Sequence, residues 1–376
     1  MCVWTIKNIM LLSSVLKGDK VIWLIATFLA CISCLVVFSC SSSIKNLLTH
    51  SFHLLSGFIL MLFFSRMHYK YLTNGSIVIF IFSVILLLII LFKPLPNIDG
   101  VVDSRRWIKI FGLNFQPSEL AKFSLVLLLS RNLSVLSHKS MSFKDHFKYF
   151  YLPILIVFAL IFKSNGSTAL IILTISFIVL FISDFKIKSI FKFYSFNIIL
   201  VFFSVILLSQ FSSNSRVGTW KNRINHYLNG EVNYQVNIAK KAISSGKWNG
   251  LGPGKSVQKH VLPQASSDFV FAIIIEEYSI IGGLFILGLY IIFLIRIIAI
   301  STRIKLMFPY LLLLGLGILI VFQAFLNIGV SLGILPVTGQ TLPLVSRGGS
   351  SIWITCVTIG IILNISSKFQ KKISYG

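Results

Sequence analysis

Apolar runs long enough to cross a bilayer recur along this chain, and they constrain it more than any other feature. A backbone in hydrocarbon has no water to bond, so each run must satisfy its own N–H and C=O groups. Helices do this within one segment, and runs this long and continuous are not barrel strands. With 56% hydrophobic and only 12% charged residues, the 376-residue chain also lacks the polar surface of a soluble globule. The expected fold is all-α: a polytopic membrane protein with about ten transmembrane helices, forming one integral membrane domain over residues 1–376.

The expected spans lie near 21–39, 47–65, 76–92, 118–137, 150–163, 167–183, 190–210, 268–296, 307–327 and 350–367. Lys163-Ser164-Asn165-Gly166-Ser167 is a tight polar turn that makes the fifth and sixth a helical hairpin. Lys7, Lys17, Lys20, Arg131, Lys139, Lys144, Lys148, Lys186, Lys188, Lys192, Arg303, Lys305 and the tail lysines Lys368, Lys371 and Lys372 fall on one side. Basic residues collect on the cytoplasmic side, so both termini are expected inside. The formal charge of +24 is that same loop bias. With no soluble basic domain to bind it, nucleic acid is not an expected partner. Cys31 and Cys34 form a C-x-x-C inside an apolar run with no second ligand pair, which reads as packing rather than metal. The bulky Phe38 and the apolar run before Cys40 favour an uncleaved first helix over a lipoprotein cleavage site.

Three longer segments fall outside: 93–117, 211–267 (the large extracytoplasmic loop between helices 7 and 8) and 328–349. They carry Arg105, Arg106, Lys109, Arg216, Lys221, Arg223, Lys255, Lys259 and Arg347, against the positive-inside trend. An anionic ligand at the outer face would explain them, and so would simple tolerance of charge in a long translocated loop.

Four groups in or beside these segments carry chemistry. Glu119 and Lys122 are three apart at the start of a helix opened by Pro117, so they can pair and enter the membrane at lower cost. Arg105, Arg106 and Trp107 suit an interfacial anchor that can also hold a phosphate. Gly250, Gly252 and Gly254 fit neither phosphate-loop spacing, and leave only a turn that brings backbone close to a ligand. Arg347 beside Gly348 and Gly349 offers a guanidinium and backbone donors to an oxyanion, or forms a plain turn.

Asp268 precedes an apolar helix, where it reads either as a helix N-cap or as a general base facing the cationic loop. On one continuous helix, Glu276 would lie about 80° and Glu277 about 180° round from Asp268. Glu276 is then expected to turn inward and pair with a basic group, while Glu277 needs another helix or the interface.

The stretches SRRWIKIFGLNFQPSELAK, GLGPGKSVQKHVLPQASSDFVFAIIIEE and NIGVSLGILPVTGQTLPLVSRGGSS together resemble the SEDS family, the FtsW/RodA peptidoglycan polymerases. Order, spacing and the ten-helix frame agree over most of the chain. TGQTLPLVSRGGSS is more like the division-type branch, with Thr341 where the elongation type usually has proline. The resemblance implies a glycosyltransferase of the bacterial cytoplasmic (inner) membrane. It would polymerise lipid II through β-1,4 bonds at the outer face and release undecaprenyl pyrophosphate.

Asp268 takes the place of the family's catalytic aspartate, the implied general base on the acceptor hydroxyl. Glu119 and Lys122 match the family's Glu–Lys pair and, with Glu276, are its implied support. Arg105, Arg106, Arg223, Lys255, Gln258, Lys259, Ser346, Arg347, Gly348 and Gly349 are the candidate substrate and pyrophosphate contacts. Glu231 stays open as an alternative base. The implied partners are a class B penicillin-binding protein, other divisome or elongation-complex proteins, and membrane lipid. No metal site is implied, and a divalent cation (Mg or Mn) assisting the pyrophosphate is left open.

The chain departs from the family at Ser266 and Ser267, where many members have His-Thr, and at Arg347, where many have Tyr. Residues 164–167 replace a frequent Asp-Leu-Gly-Thr. Competing readings are an elongation-type polymerase, a lipid II flippase and a non-enzymatic scaffold. The chain shows no inverted repeat, which disfavours the flippase.

Overall fold

The computed structural model describes residues 16–41, 43–92, 106–110, 113–136, 142–162, 164–183, 185, 188–195 and 234–370. Three helices open the chain: α1 (Lys20–Ser41), α2 (Ile44–Arg66) and α3 (Lys70–Phe92). An antiparallel hairpin follows, β1 (Ile108–Ile110) with β2 (Leu113–Phe115), in the register Ile108 to Phe115 and Ile110 to Leu113. Next come α4 (Pro117–Leu136), α5 (Leu152–Phe162, entered through a helical turn and a π-turn), α6 (Gly166–Ile182) and α7 (Tyr234–Gly246). The chain ends in α8 (Val270–Ser301), α9 (Met307–Ser331) and α10 (Gly349–Gln370).

Nine of the ten expected spans therefore coincide with a helix, and the remaining one, 190–210, lies mostly outside the described residues. Among the described residues seven helical stretches are long and apolar enough to cross a membrane: α1, α2, α3, Lys144–Phe162, α8, α9 and α10. The apolar α6 is shorter. The protein is thus a multi-pass helical membrane protein.

Helix α4 carries Glu119, Lys122 and Arg131 and would be a poor lipid-facing span. Its position resolves the difficulty. It is buried along most of its length and packs against α3, α6, α9 and α10, so its charges face protein. Helix α2 packs on α10 and α1, and α3 packs on α4.

The start of α1 and the last turns of α10 meet on one face. Asp19 Oδ1 accepts from the N–H groups of Val21 and Ile22, which caps α1, and Oδ2 receives Arg296 Nε at 2.7 Å. Its own N–H donates to Ser366 Oγ of α10 at 2.9 Å. The start of α1, the end of α10 and the late turns of α8 therefore share a level.

The large loop contains more structure than its composition suggests. In α7, Val236, Ala239, Ala242 and Gly246 are buried against α8, while Lys240, Lys241 and Ser244 face outward. This is the apolar stripe of an amphipathic surface helix.

The chief departure from the sequence reading is in α8. Ser279 has φ 69° and ψ 175°, which is not helical. Gly282 and Gly283 follow it. A Cβ placed on Gly283 would lie 2.7 Å from Ile275 Cγ1 and 3.3 Å from Phe271 Cζ. In a straight helix, residues eight and twelve apart are separated by about 12 and 18 Å. The chain therefore folds back at Ser279, and a first limb (270–278) packs on a second (280–301). The second limb alone is long enough to span a bilayer.

A break in a helix frees backbone groups that need partners. Segment 247–252 supplies them. Leu251 N–H donates to Glu276 O at 2.9 Å, Gly252 N–H to Glu277 O at 3.0 Å, and Ile280 N–H to Lys247 O at 3.1 Å. This contact requires glycine. A Cβ on Gly246 would sit 2.1 Å from Ile275 O, and one on Gly250 would sit 2.5 Å from Glu277 O. The glycine-rich stretch thus docks on the helix break.

Gly246→Ala should cost more than the ~1–3 kcal/mol typical of overpacking, because a carbonyl cannot swing aside as a side chain does. Gly288→Ala, with nothing within 4 Å of its added Cβ, should be neutral or slightly stabilising. Thermal unfolding of the two variants in detergent checks this, and equal melting temperatures would contradict the docking.

Candidate active site

The site grows from the free end of the first limb of α8. Phe269 is the N-cap residue, so Asp268 stands just outside the helix and the wheel angles read from it do not apply. Its N–H donates to Gln264 O at 3.1 Å in the turn that delivers it. Asp268 is half-buried. Opposite it runs segment 332–348, which folds into the bundle: Gln340, Leu342, Leu344, Val345 and Ser346 are buried. Ser33 Oγ of α1 donates to Val345 O at 2.7 Å, and Tyr290 of α8 donates to Pro343 O.

Several links hold this segment to Asp268. Arg347 N–H donates to Ser266 O at 2.8 Å, and Ser346 Oγ donates to Ser267 O. Asn327 Nδ2, from α9, donates to Asp268 O at 2.8 Å and to Gln340 O at 2.7 Å. Gln340 Nε2 reaches Thr168 Oγ1 of α6 at 2.8 Å. Ser167 Oγ donates to Thr338 O at 2.9 Å.

Arg106 enters from the β-hairpin side, its Nε donating to Ser164 O at 3.3 Å. A Cβ on Gly339 would lie 3.4 Å from Arg106 Nη1 and 3.5 Å from Asp268 Oδ2. Carboxylate and guanidinium thus flank the same bare stretch of backbone. A Cβ at residue 339 would touch both at ordinary van der Waals distance, and its φ of 67° favours glycine.

Arg347 lies nearby on the same segment. Its Nη2 donates to Asn46 Oδ1, at the start of α2, at 2.9 Å. Gly348 and Gly349 lead into α10, with the His53 ring packed against Gly349. Gln116 N–H donates to Ser350 Oγ at 3.1 Å, which ties the start of α4 to that of α10.

Glu119 and Lys122 pair as the spacing implies, Nζ to Oε1 at 2.8 Å, with side chains only 8% and 2% exposed. Lys122 also lines a small cavity with Leu125, Val126, Ile172 and Leu319.

Glu276 departs from expectation. Among the described residues it has no basic hydrogen-bond partner. Its carboxylate accepts from Ser256 Oγ, Val257 N–H at 3.1 Å, Gln258 N–H at 3.3 Å and Ser245 Oγ at 3.3 Å. Backbone and hydroxyl donors solvate the charge here in place of a cation. Glu277 finds another helix, accepting from Ser39 Oγ of α1 and from Ser256 N–H at 3.2 Å. Because the chain folds back, both glutamates lie near the apex of α8, level with the end of α1, rather than two turns along a straight span.

Gln258 and Lys259 belong to this clamp. Lys259 Nζ donates to Gly254 O at 2.7 Å and to Ser39 Oγ at 3.4 Å. Lys255 is exposed on the same loop. The candidate contacts therefore fall into two groups: Arg106, Ser346, Arg347, Gly348 and Gly349 with Asp268, and Lys255, Gln258 and Lys259 with Glu276. Arg105, Arg223 and Glu231 lie outside the described residues. Among the described residues no three His, Cys, Asp or Glu side chains converge into a set that would hold a divalent cation.

Sequence reasoning passed over Asn327, Gln340 and Asn46. A signal for the first existed: Gln323, Asn327 and Ser331 recur every four residues in an otherwise apolar helix, and all three are buried. Polar groups at that spacing inside a membrane helix mark an inward-facing polar stripe.

The profile of the cell cycle protein family of FtsW, RodA and SpoVE matches residues 19–371. A chain from Geobacter sp. (strain M18), named "Probable peptidoglycan glycosyltransferase FtsW", is 29% identical over 370 residues, covering 94% of this chain and 97% of its own. A protein of the same name from Marinomonas mediterranea is 33% identical over 317 residues, covering 80% and 74%.

Among solved structures, a chain from a peptidoglycan synthase complex that coordinates polymerisation and crosslinking superposes with a TM-score of 0.73. It is 23% identical and covers 93% of this chain and 98% of its own. The rod shape determining protein RodA of Thermus thermophilus superposes with a TM-score of 0.68 at 24% identity, covering 94% and 97%. At these identities the structures establish the fold.

Lys122→Met should destabilise the protein by about 3–5 kcal/mol, by leaving Glu119 buried without its partner. The double variant Glu119→Leu with Lys122→Met should recover most of that loss. Thermal unfolding of both variants decides, and an undisturbed Lys122→Met would show that the pair bears little on stability.

Proposed function

Because the chain belongs to the FtsW/RodA/SpoVE family, we propose that it is a peptidoglycan glycosyltransferase of the division type. On this reading it polymerises lipid II into β-1,4 glycan at the outer face of the cytoplasmic membrane, during septal wall synthesis. The observation that carries the reading is Asp268: a half-buried carboxylate at the end of a folded-back limb, sharing the bare face of Gly339 with Arg106.

The chemistry follows from charge. Asp268 takes the proton of the acceptor sugar's 4-hydroxyl as that oxygen bonds to the donor sugar's C1. The donor's C1–O bond to pyrophosphate breaks, and undecaprenyl pyrophosphate departs. Its negative charge favours nearby cations, which Arg106 and Arg347 supply. A diphosphate leaves without needing a protein general acid, which suits a site built on one carboxylate. Glu119 and Lys122 fix the start of α4 beside the site, and Glu276 fixes the loop. Both are supporting roles.

A class B penicillin-binding protein is the proposed partner. The resemblance to a chain from a complex that couples polymerisation to crosslinking supports it. The outer placement of the site rests on loop charge, with Lys144 and Lys305 on the opposite face.

Purified protein with its class B partner should polymerise labelled lipid II. Asp268→Asn should lower the rate by about 10²–10⁴-fold while leaving partner binding intact. Equal polymer from a folded Asp268→Asn variant would remove the base, and lipid II flipping in vesicles with no polymer would favour a transporter. For sidedness, a cysteine at Lys255 should react with an impermeant thiol reagent in intact cells, and one at Lys144 should not. The reverse pattern would invert the orientation.

A further inference from the structure

Asn327 sits one turn before the end of α9, with 1% of its surface exposed. Both hydrogen bonds of its Nδ2 go to carbonyl oxygens, Asp268 O at 2.8 Å and Gln340 O at 2.7 Å. The orientation of the amide is therefore fixed, because an oxygen facing two carbonyls would be repelled by both. Its own Oδ1 is buried and has no hydrogen-bond partner among the described residues. A group serving only to complete local hydrogen bonding would not leave its own acceptor empty inside a protein. Such exceptions concentrate where geometry is held for function.

What Asn327 joins is specific. One carbonyl belongs to the residue bearing the reactive carboxylate. The other belongs to Gln340, the neighbour of Gly339, whose bare face meets both Asp268 Oδ2 and Arg106 Nη1. A single amide thus fixes the distance between the turn carrying Asp268 and the strand facing it. Gln340 is in turn anchored to Thr168 on α6, and Thr338 to Ser167. The registration therefore extends across α6, α8 and α9.

We propose that Asn327 is a positioning residue for the transfer reaction: it never touches substrate, and it sets where the Asp268 carboxylate stands relative to Gly339 and the Arg106 guanidinium. This inference rests on the reading of Asp268 as the base. It predicts an effect on the chemical step and little on substrate capture, because catalytic groups displaced by about 1 Å lose on the order of 10²-fold in rate.

The test compares Asn327→Ala and the isosteric Asn327→Asp in the full-length protein with its class B partner, using labelled lipid II. Asn327→Asp keeps the volume and removes the two-pronged donor, so it remains informative if Asn327→Ala packs poorly. The expected result is a fall in kcat of about 10²-fold for either variant, assayed well below its melting temperature, with KM within a few-fold of native and partner binding retained. In an Asp268→Glu background, whose longer side chain has already lost the native placement, Asn327→Asp should cost less than tenfold further.

Native kcat in both variants would overturn the proposal. So would a loss shared equally between kcat and KM, or one that vanishes when the variants are assayed well below their melting temperatures, since either describes general scaffolding. If Asp268→Asn polymerises at the native rate, the base assignment fails on its own, whatever the Asn327 variants do.

Discussion

The end of the bundle that holds Asp268 depends on one break in one helix. At Ser279 the chain leaves helical geometry, and the carbonyls of Glu276 and Glu277 take new partners within largely apolar surroundings. Each buried peptide group left unpaired costs about 1–3 kcal/mol. Segment 247–252 supplies the donors, and it approaches closely enough because Gly246 and Gly250 have no side chains. Glu276 and Glu277 then hold the next stretch through Ser256, Val257 and Gln258. Acidic side chains in an apolar helix are expensive, and here they are retained because they bind the loop that completes the break.

The consequence for function is positional. A straight 32-residue helix would set Asp268 far from the start of the second limb. The fold-back returns it to the bundle, at the level where α9 offers Asn327 and where segment 338–347 passes with its backbone exposed at Gly339. The Asp268 carboxylate and the Arg106 guanidinium thereby meet at Gly339, Arg347 N–H bonds the turn that carries Asp268, and the start of α4, with its buried Glu119–Lys122 pair, is tied to the start of α10. The chemistry comes from few residues, and the geometry comes from four helices and two loops.

Much of this was legible in the sequence. The order of the described spans follows from the apolar runs, because hydrocarbon permits little else. Glu119 and Lys122 declared their pairing by spacing. What stayed hidden was long-range. IIIEEYSIIGG reads as uninterrupted helix, since a serine with positive φ leaves no compositional mark and two glycines are common in membrane spans. The wheel angles drawn through it therefore misplaced Glu276, whose hydrogen bonds among the described residues come from backbone and hydroxyl donors rather than a basic group. The docking glycines resembled a ligand loop because close backbone approach demands the same residue, whether the neighbour is a phosphate or another helix. Helix α7 was masked by its short stripe, and the β-hairpin by strands of three residues.

The fold-back at Ser279 is the claim on which the placement of Asp268 rests, and a disulfide tests it directly. With the native cysteines replaced by serine, Ile275→Cys and Gly283→Cys place one sulfur where Ile275 Cγ1 now lies, 2.7 Å from the other residue's Cβ. That is close to the spacing a disulfide requires. Mild oxidation should join the pair in nearly every molecule and leave the protein folded. Free thiols at both positions after oxidation would mean an unbroken helix, with the residues about 12 Å apart and Asp268 delivered by some other route.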